Sequence, residues 1–182
     1  TIVTTVDSSL ALDETVEEAN GSTIRTPVGD IQVAIKIKET GAVMGGEACG
    51  VFILPEFHLA PEPFLAACRI LEKMARTGNS FGELIKDIPI YPLKKAKLAC
   101  PNEKKSSVMQ YLAESLPKGL KEVVDVITVD GIGVTLKEGW ILVRPSGTEP
   151  IIRITCEGPT EELVTRTLDE AKFIVEKTIK ST

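Results

Sequence analysis

Two rhythms of hydrophobic and polar positions divide the chain near its midpoint. In the first half, short β-branched runs alternate with stretches of helical period. Residues 2–6 (IVTTV) read as a strand, 8–20 as a helix with acids along one side, and 23–26 as a second strand. Residues 30–40 read as another helix, with Gly41 placed to stop it. Short strands at 42–44 and 51–54 flank the glycine-rich GGEACG. Residues 64–76 are dense in apolar side chains (Phe64, Leu65, Cys68, Ile70, Leu71, Met74). They predict a buried helix, with Pro63 in its first turn and Gly78 just past its end. The alternation predicts an α/β layer on a mixed or parallel sheet.

The second half follows another order. Val108, Leu112 and Leu116 recur every four residues and predict a helix over 104–116. EVVDVITV and IGVTL flank Asp130-Gly131. That dipeptide predicts a two-residue hairpin, because glycine accepts the positive φ of a type I′ turn. WILV and IIRIT predict two further strands. Thr160 is placed to cap a long last helix, with Glu161 and Glu162 in its first turn. Val164, Leu168, Ala171, Val175 and Ile179 form its apolar stripe. The order α-β-β-β-β-α predicts an antiparallel sheet covered by two helices. The fold class is therefore α/β plus α+β, in two domains over 1–90 and 91–182. Around the boundary, 88–102 holds Pro89, Pro92 and Pro101 with the basic cluster Lys94, Lys95 and Lys97. This stretch reads as a linker with solvated lysines.

Composition narrows the class. With 43% hydrophobic residues the chain can bury a core, and the few aromatics make that core aliphatic. A net charge of −5 argues against a general nucleic-acid binder. The charge is uneven: residues 1–90 carry −6 and residues 91–182 carry +1, so the second half is more hospitable to an anion. No run is apolar enough to span a membrane and no signal peptide opens the chain, which reads as cytoplasmic, with no membrane partner. Cys49, Cys68, Cys100 and Cys156 form no CxxC pair and read as thiols of a reducing compartment. The aspartates are scattered without an Asp-x-Asp, and His58, the single histidine, reads as structural or surface; no metal site is expected. The chain opens on Thr1 and directly on a strand-like run, which reads as a piece of a longer protein.

One loop carries chemistry. RPSGTEP, residues 144–150, joins two predicted strands. Arg144 offers a planar fork that suits two phosphate oxygens. Ser146 and Thr148 add hydroxyls, and Gly147 lets a backbone N–H approach closely and permits unusual φ. Pro145 and Pro150 stiffen the loop, which lowers its ordering cost on binding. Glu149 is the odd charge: it must point away, or hold Arg144 or a backbone amide. On chemistry alone the loop is either a phosphate grip or an ordinary strand-to-strand turn.

WILVRPSGTEPIIRITCEG resembles the phosphate-binding loop of the α-D-phosphohexomutases, a family that includes phosphoglucosamine mutase, phosphomannomutase and phosphoglucomutase. The resemblance implies that Arg144, Ser146, Gly147 and Thr148 grip the phosphate of a sugar phosphate, with Arg153 as a second charge. VMGGEACG resembles the family's sugar-binding loop, usually GE-x-S-G. It implies that Glu47 accepts hydroxyl hydrogens of the hexose. Cys49 stands where Ser is usual and Val51 where His is common, which puts a weak hydrogen-bonding thiol in the contact. IRTPVGD resembles a segment that borders the sugar, which implies a lining by Val28, Gly29 and Asp30.

The resemblance covers nearly the whole chain. It implies a partial third domain followed by a C-terminal domain with a TATA-box-binding-protein-like fold. The implied activity is interconversion of hexose 6-phosphate and hexose 1-phosphate through a hexose bisphosphate. The family's phosphorylated serine and its Asp-rich Mg²⁺ loop belong to domains this chain lacks, so catalytic residues are expected in N-terminal domains of the same protein. This chain by itself is expected to bind without turning over. The rival reading is a non-catalytic sugar-phosphate-binding or interaction module.

Overall fold

The computed structural model describes residues 1–182, which form two compact units, Thr1–Ile90 and Tyr91–Thr182. The first unit runs β1 (Ile2–Thr5), α1 (Leu10–Glu18), β2 (Thr23–Thr26), α2 (Asp30–Thr40), β3 (Met44–Glu47), β4 (Val51–Ile53), α3 (Pro63–Thr77) and α4 (Phe81–Ile85). The sheet order is β2-β1-β3-β4. β1 pairs in parallel with β2 and β3, whereas β4 returns antiparallel to β3. The sheet is thus mixed. Val3, Val33, Ile37, Ala42 and Ile53 make its core, with α2 laid on the sheet. α2 stops at Gly41, whose φ of 67° closes the helix by a bond from its N–H to Ile37 O.

Two expectations change in this unit. The sequence sets GGEACG between two strands as a loop, but Gly45 and Gly46 lie inside β3. A Cβ on Gly45 would come within 2.6 Å of Val33 Cγ1, so the bare backbone is what lets α2 approach. The predicted buried helix forms as α3, but none of its residues is buried. Phe64 is 82% exposed and Leu71 61%. A stripe of apolar side chains specifies a need for cover, and the elements of Thr1–Ile90 do not supply it. The short helix α4 was not expected. Its signal was the capping box Ser80-x-x-Glu83, in which each side chain accepts from the other residue's amide.

The second unit runs β5 (Leu93–Ala99), α5 (Asn102–Gly119), β6 (Val123–Ile127), β7 (Ile132–Leu136), β8 (Gly139–Pro145), β9 (Ile151–Glu157) and α6 (Glu161–Ser181). All five strands are antiparallel, in the order β5-β9-β8-β7-β6. Val108, Leu112 and Leu116 of α5 meet Val164, Ala171 and Val175 of α6 over Ile141, Val143, Ile152 and Ile154. Each fully buried aliphatic side chain contributes roughly 1.5–3 kcal/mol. Thr160 caps α6 by accepting from Leu163 N at 3.2 Å.

The stretch 88–102, read as a linker, holds the strand β5. Its alternation of half-buried Lys94, Ala96 and Leu98 with exposed Lys95 and Lys97 is that of a sheet edge. Lysines on an edge strand discourage pairing with another chain. Lys94 reaches Glu161 Oε2 at 2.8 Å and Thr165 Oγ1 at 2.7 Å, so it also ties the edge to α6. The β6–β7 turn is wider than two residues, because the last paired positions are Ile127 and Gly133. Gly131 has φ 85° but Asp130 does not have positive φ, so the turn is not type I′.

Candidate functional site

RPSGTEP begins on the last two residues of β8 and turns into β9 over residues 146–150. The loop closes on itself. Ser146 N donates to Ile151 O at 3.0 Å, and Ile151 N donates to Glu149 O at 2.8 Å. Glu149 N donates to the Ser146 hydroxyl at 3.2 Å, so this hydroxyl, 7% exposed, braces the turn. The amides of Gly147 and Thr148 donate to no acceptor in the chain. Both residues are exposed. Consecutive free backbone amides at a tight turn form a concavity suited to an anion.

Gly147 is not held by its own backbone. Its φ is not positive, contrary to the sequence expectation, and a Cβ there would meet nothing within 4 Å. The chain itself has no use for a glycine at this point.

Arg144 sits at the base of the loop. Its Nη2 pairs with Asp130 Oδ2 at 2.6 Å, and its buried Nε has no partner. Asp130 comes from the β6–β7 turn, and Gly131 beside it passes close under Arg144. A Cβ on Gly131 would lie 2.4 Å from Val143 O and 2.5 Å from Arg144 Cγ. The glycine of the turn therefore seats the arginine of the loop.

Arg144 is paired across the sheet with Arg153, and Arg153 with Lys97. Opposed residues share a face, so three cations stand in one row. Glu149 answers the question its charge raised. Its carboxylate pairs with Arg153 and lies 3.9 Å from Lys97 Nζ; Arg144 is held by Asp130 instead. Three cations against two carboxylates leave the row positive.

Lys105 escaped the sequence reading. It stands in the first turns of α5, on the same stripe as Val108, Leu112 and Leu116, and is only 9% exposed. Its ammonium donates to Ser146 O and Glu149 O, each at 2.5 Å. Stripping water from an ammonium costs several kcal/mol. Two charge-assisted bonds of about 1.5–3 kcal/mol each offset that. The available signal was a lysine at a position where the helical period calls for an apolar residue.

In the first unit, Glu47 ends β3 and its Oε1 accepts from Gly29 N at 2.8 Å. This bond joins two segments that were separate candidates in the sequence. Cys49 is exposed, with Sγ 4.0 Å from Glu47 Oε2, a weak contact for a thiol. Gly29 is the N-cap of α2, and Asp30 opens the helix with its Oδ1 accepting from Ile31 N at 2.9 Å. Val28 directly precedes that cap. Glu47 also borders a groove of about 340 Å³ lined mainly by apolar residues, among them Ile2, Leu12, Met44 and Phe52. Such a lining offers a hexose few donors.

His58 pairs with Glu62 at 3.1 Å, away from both loops in the sequence. Cys156 is buried in the core, which pushes its thiol up to about 12, and Glu157 adds to the shift. Burial raises Cys100 as well. Both are core thiols and poor nucleophiles. No three His, Cys, Asp or Glu side chains cluster as metal ligands. No helix is long and apolar enough to cross a membrane.

Comparison with known proteins agrees across the chain. The family profile described as "Phosphoglucomutase/phosphomannomutase, alpha/beta/alpha domain III" matches residues 1–91. The profile described as "Phosphoglucomutase/phosphomannomutase, C-terminal domain" matches residues 96–172. "Probable phosphoglucosamine mutase" of Pyrococcus horikoshii is 43% identical over 179 residues, covering 98% of this chain and 39% of that protein. "Phosphoglucosamine mutase" of Methanococcus maripaludis is 36% identical, covering 96% of this chain and 38% of that protein. The chain thus spans about two-fifths of the length of these relatives. Among solved structures, a phosphoglucomutase/phosphomannomutase family protein from Burkholderia thailandensis superposes with a TM-score of 0.81 at 23% identity, over 97% of this chain and 37% of that one. Aspergillus fumigatus N-acetylphosphoglucosamine mutase, solved with GlcNAc-6P and magnesium, superposes at 0.62 and 12% identity, over 98% of this chain and 40% of that one. The chain belongs to the phosphoglucomutase/phosphomannomutase family, the α-D-phosphohexomutases, and carries their domain III and C-terminal domain.

Proposed function

We propose that this chain is the substrate-holding part of a phosphohexomutase that interconverts a hexose 6-phosphate and a hexose 1-phosphate through a hexose bisphosphate. The observation that carries the reading is the RPSGTEP loop: free Gly147 and Thr148 amides, a glycine the chain does not need, and a positive row on the adjoining strands. In this reading the two amides and the Thr148 hydroxyl donate to phosphate oxygens. Arg144 supplies the fork while Asp130 keeps it aimed. Arg153 adds charge from the next strand, held by Glu149. Ser146 can still donate its hydroxyl proton while it accepts from Glu149 N.

Glu47 serves the sugar. One carboxylate oxygen is occupied by Gly29 N, and the other, touched only weakly by the Cys49 thiol, accepts from a hydroxyl. Gly29, Asp30 and Cys49 border that contact. The names of the relatives favour glucosamine phosphate over mannose or glucose phosphate. Phosphoryl transfer requires a nucleophile and charge neutralisation of the moving group. We assign both, including Mg²⁺, to domains of the full-length protein outside this chain.

The test is turnover of glucosamine, mannose and glucose 1-phosphates by the full-length protein, wild type and Gly147→Ala. The variant is expected to keep its fold and lose at least tenfold in kcat/KM. Wild-type kinetics in Gly147→Ala would remove the phosphate role of the loop. The 182-residue chain by itself is expected to bind glucose 1-phosphate without converting it.

A further inference from the structure

We propose that Lys105 is a positioning residue for the phosphate: from beneath the loop, it turns the Gly147 amide toward the ligand and pins the far end of the Gly147–Thr148 span. The proposal rests on the phosphate reading of RPSGTEP and adds a residue that touches no ligand.

Four observations carry it. Lys105 occupies a position on α5 that the helical period reserves for the core, in line with Val108, Leu112 and Leu116. Packing alone would be served by leucine or methionine there, and a buried ammonium persists only when its donors are used. Its Nζ binds the carbonyls of Ser146 and Glu149, both at 2.5 Å. Those two carbonyls bracket Gly147 and Thr148, so one ammonium fixes both ends of the two-residue span. Finally, the carbonyl of Pro150 accepts from Cys100 N at 2.9 Å, just ahead of α5. The carbonyls of Ser146, Glu149 and Pro150 are thus all engaged within the protein.

The physical consequence is directional. A peptide unit presents its C=O and N–H on opposite sides. Drawing the Ser146 carbonyl inward turns the Gly147 N–H of the same peptide unit outward. The Glu149 carbonyl, pinned by the same ammonium, holds the far end of the span. The loop is organised before ligand arrives, which removes an ordering cost from binding. The ammonium also sets a fixed positive charge behind the amides, where an anion gains from it.

The experiment is calorimetric titration of the full-length protein with glucose 1-phosphate, for wild type, Lys105→Met, Lys105→Arg and Arg144→Ala. Lys105→Met keeps the length and volume of the side chain without donors. It is expected to bind about tenfold more weakly, and Lys105→Arg to recover part of that loss. The Gly147 and Thr148 amide signals of unliganded Lys105→Met are expected to broaden or shift. If Arg144→Ala loses affinity while Lys105→Met binds as wild type, the positioning role is wrong and the phosphate reading stands. If Arg144→Ala also binds as wild type, the phosphate reading itself fails. Should Lys105→Met not fold, the wild-type Lys105 ammonium signal decides. It is expected to be protected from exchange and to move on saturation with glucose 1-phosphate; an unmoved signal overturns the proposal.

Discussion

Replacing Gly131 with alanine should unsettle the second unit and its RPSGTEP loop together. The glycine has φ 85°, and a Cβ would stand 2.4 Å from Val143 O and 2.5 Å from Arg144 Cγ. The first obstacle is backbone on the neighbouring strand, so it cannot rotate away as a side-chain tip could. Placing alanine in the left-handed region costs about 1–2 kcal/mol. Overpacking adds about 1–3 kcal/mol, because β7 must move off β8. Together they remove about 2–5 kcal/mol from a domain whose whole stability is of order 5–15 kcal/mol. For a unit of this size that lowers Tm by at least about 8 °C.

Trp140, the single tryptophan, is buried in β8 and bonded to Glu157 at 2.8 Å, so its emission reports on this hairpin during urea unfolding. Gly147→Ala is the control. It meets nothing within 4 Å and needs no positive φ, so its midpoint should stay at or slightly above wild type. Equal midpoints for Gly131→Ala and Gly147→Ala would refute the account of the turn. Loss of glucose 1-phosphate affinity should accompany the destabilisation in Gly131→Ala and occur without it in Gly147→Ala.

Other outcomes follow from single contacts. In the native 182-residue chain, a thiol reagent should label Cys49 and Cys68 quickly, with Cys100 and Cys156 reacting only on unfolding; four fast thiols would contradict the core described here. Burial lifts the Cys156 thiol from about 9 to about 12. The folded state therefore holds that proton more tightly, and its stabilising effect is complete below pH 9 and lost as pH rises to about 12. Relative to Cys156→Ala, wild type should lose up to about 4 kcal/mol over that range; parallel curves would show that the thiol does not titrate differently on folding. Glu47→Ala removes the acceptor for Gly29 N and should cost about 1 kcal/mol of stability. It should also weaken hexose phosphate binding while inorganic phosphate binding is unchanged; an equal loss for both ligands would place Glu47 outside the sugar contact.

The elements best read from sequence were those whose signals are local. α2 ran to its glycine stop and α6 began at its threonine cap, because caps and period are properties of neighbouring residues. β5 was missed because proline and lysine counts outweighed a seven-residue alternation whose meaning depends on β9 beside it. α3 was legible as a helix but not as an uncovered one, since exposure is a property of what surrounds it.

The candidate site divides the same way. RPSGTEP stands out as a candidate by its residue types, and so does Glu47 beside its glycines. Which carboxylate holds which arginine could not. Asp130 and Arg144 are fourteen positions apart and meet because one strand turn runs beneath another. Lys105 reaches Ser146 and Glu149 across some forty residues.

By itself the sequence determined the run of elements from α5 to α6, the two-part division and the donors that one loop can offer, since these rest on near-neighbour periodicity and on named side chains. Only the tertiary structure decided the orientation of that loop. Lys105 bonds its Ser146 and Glu149 carbonyls while Asp130 and Gly131 seat Arg144 at its base, and all three approach from other elements once the sheet and helices have closed.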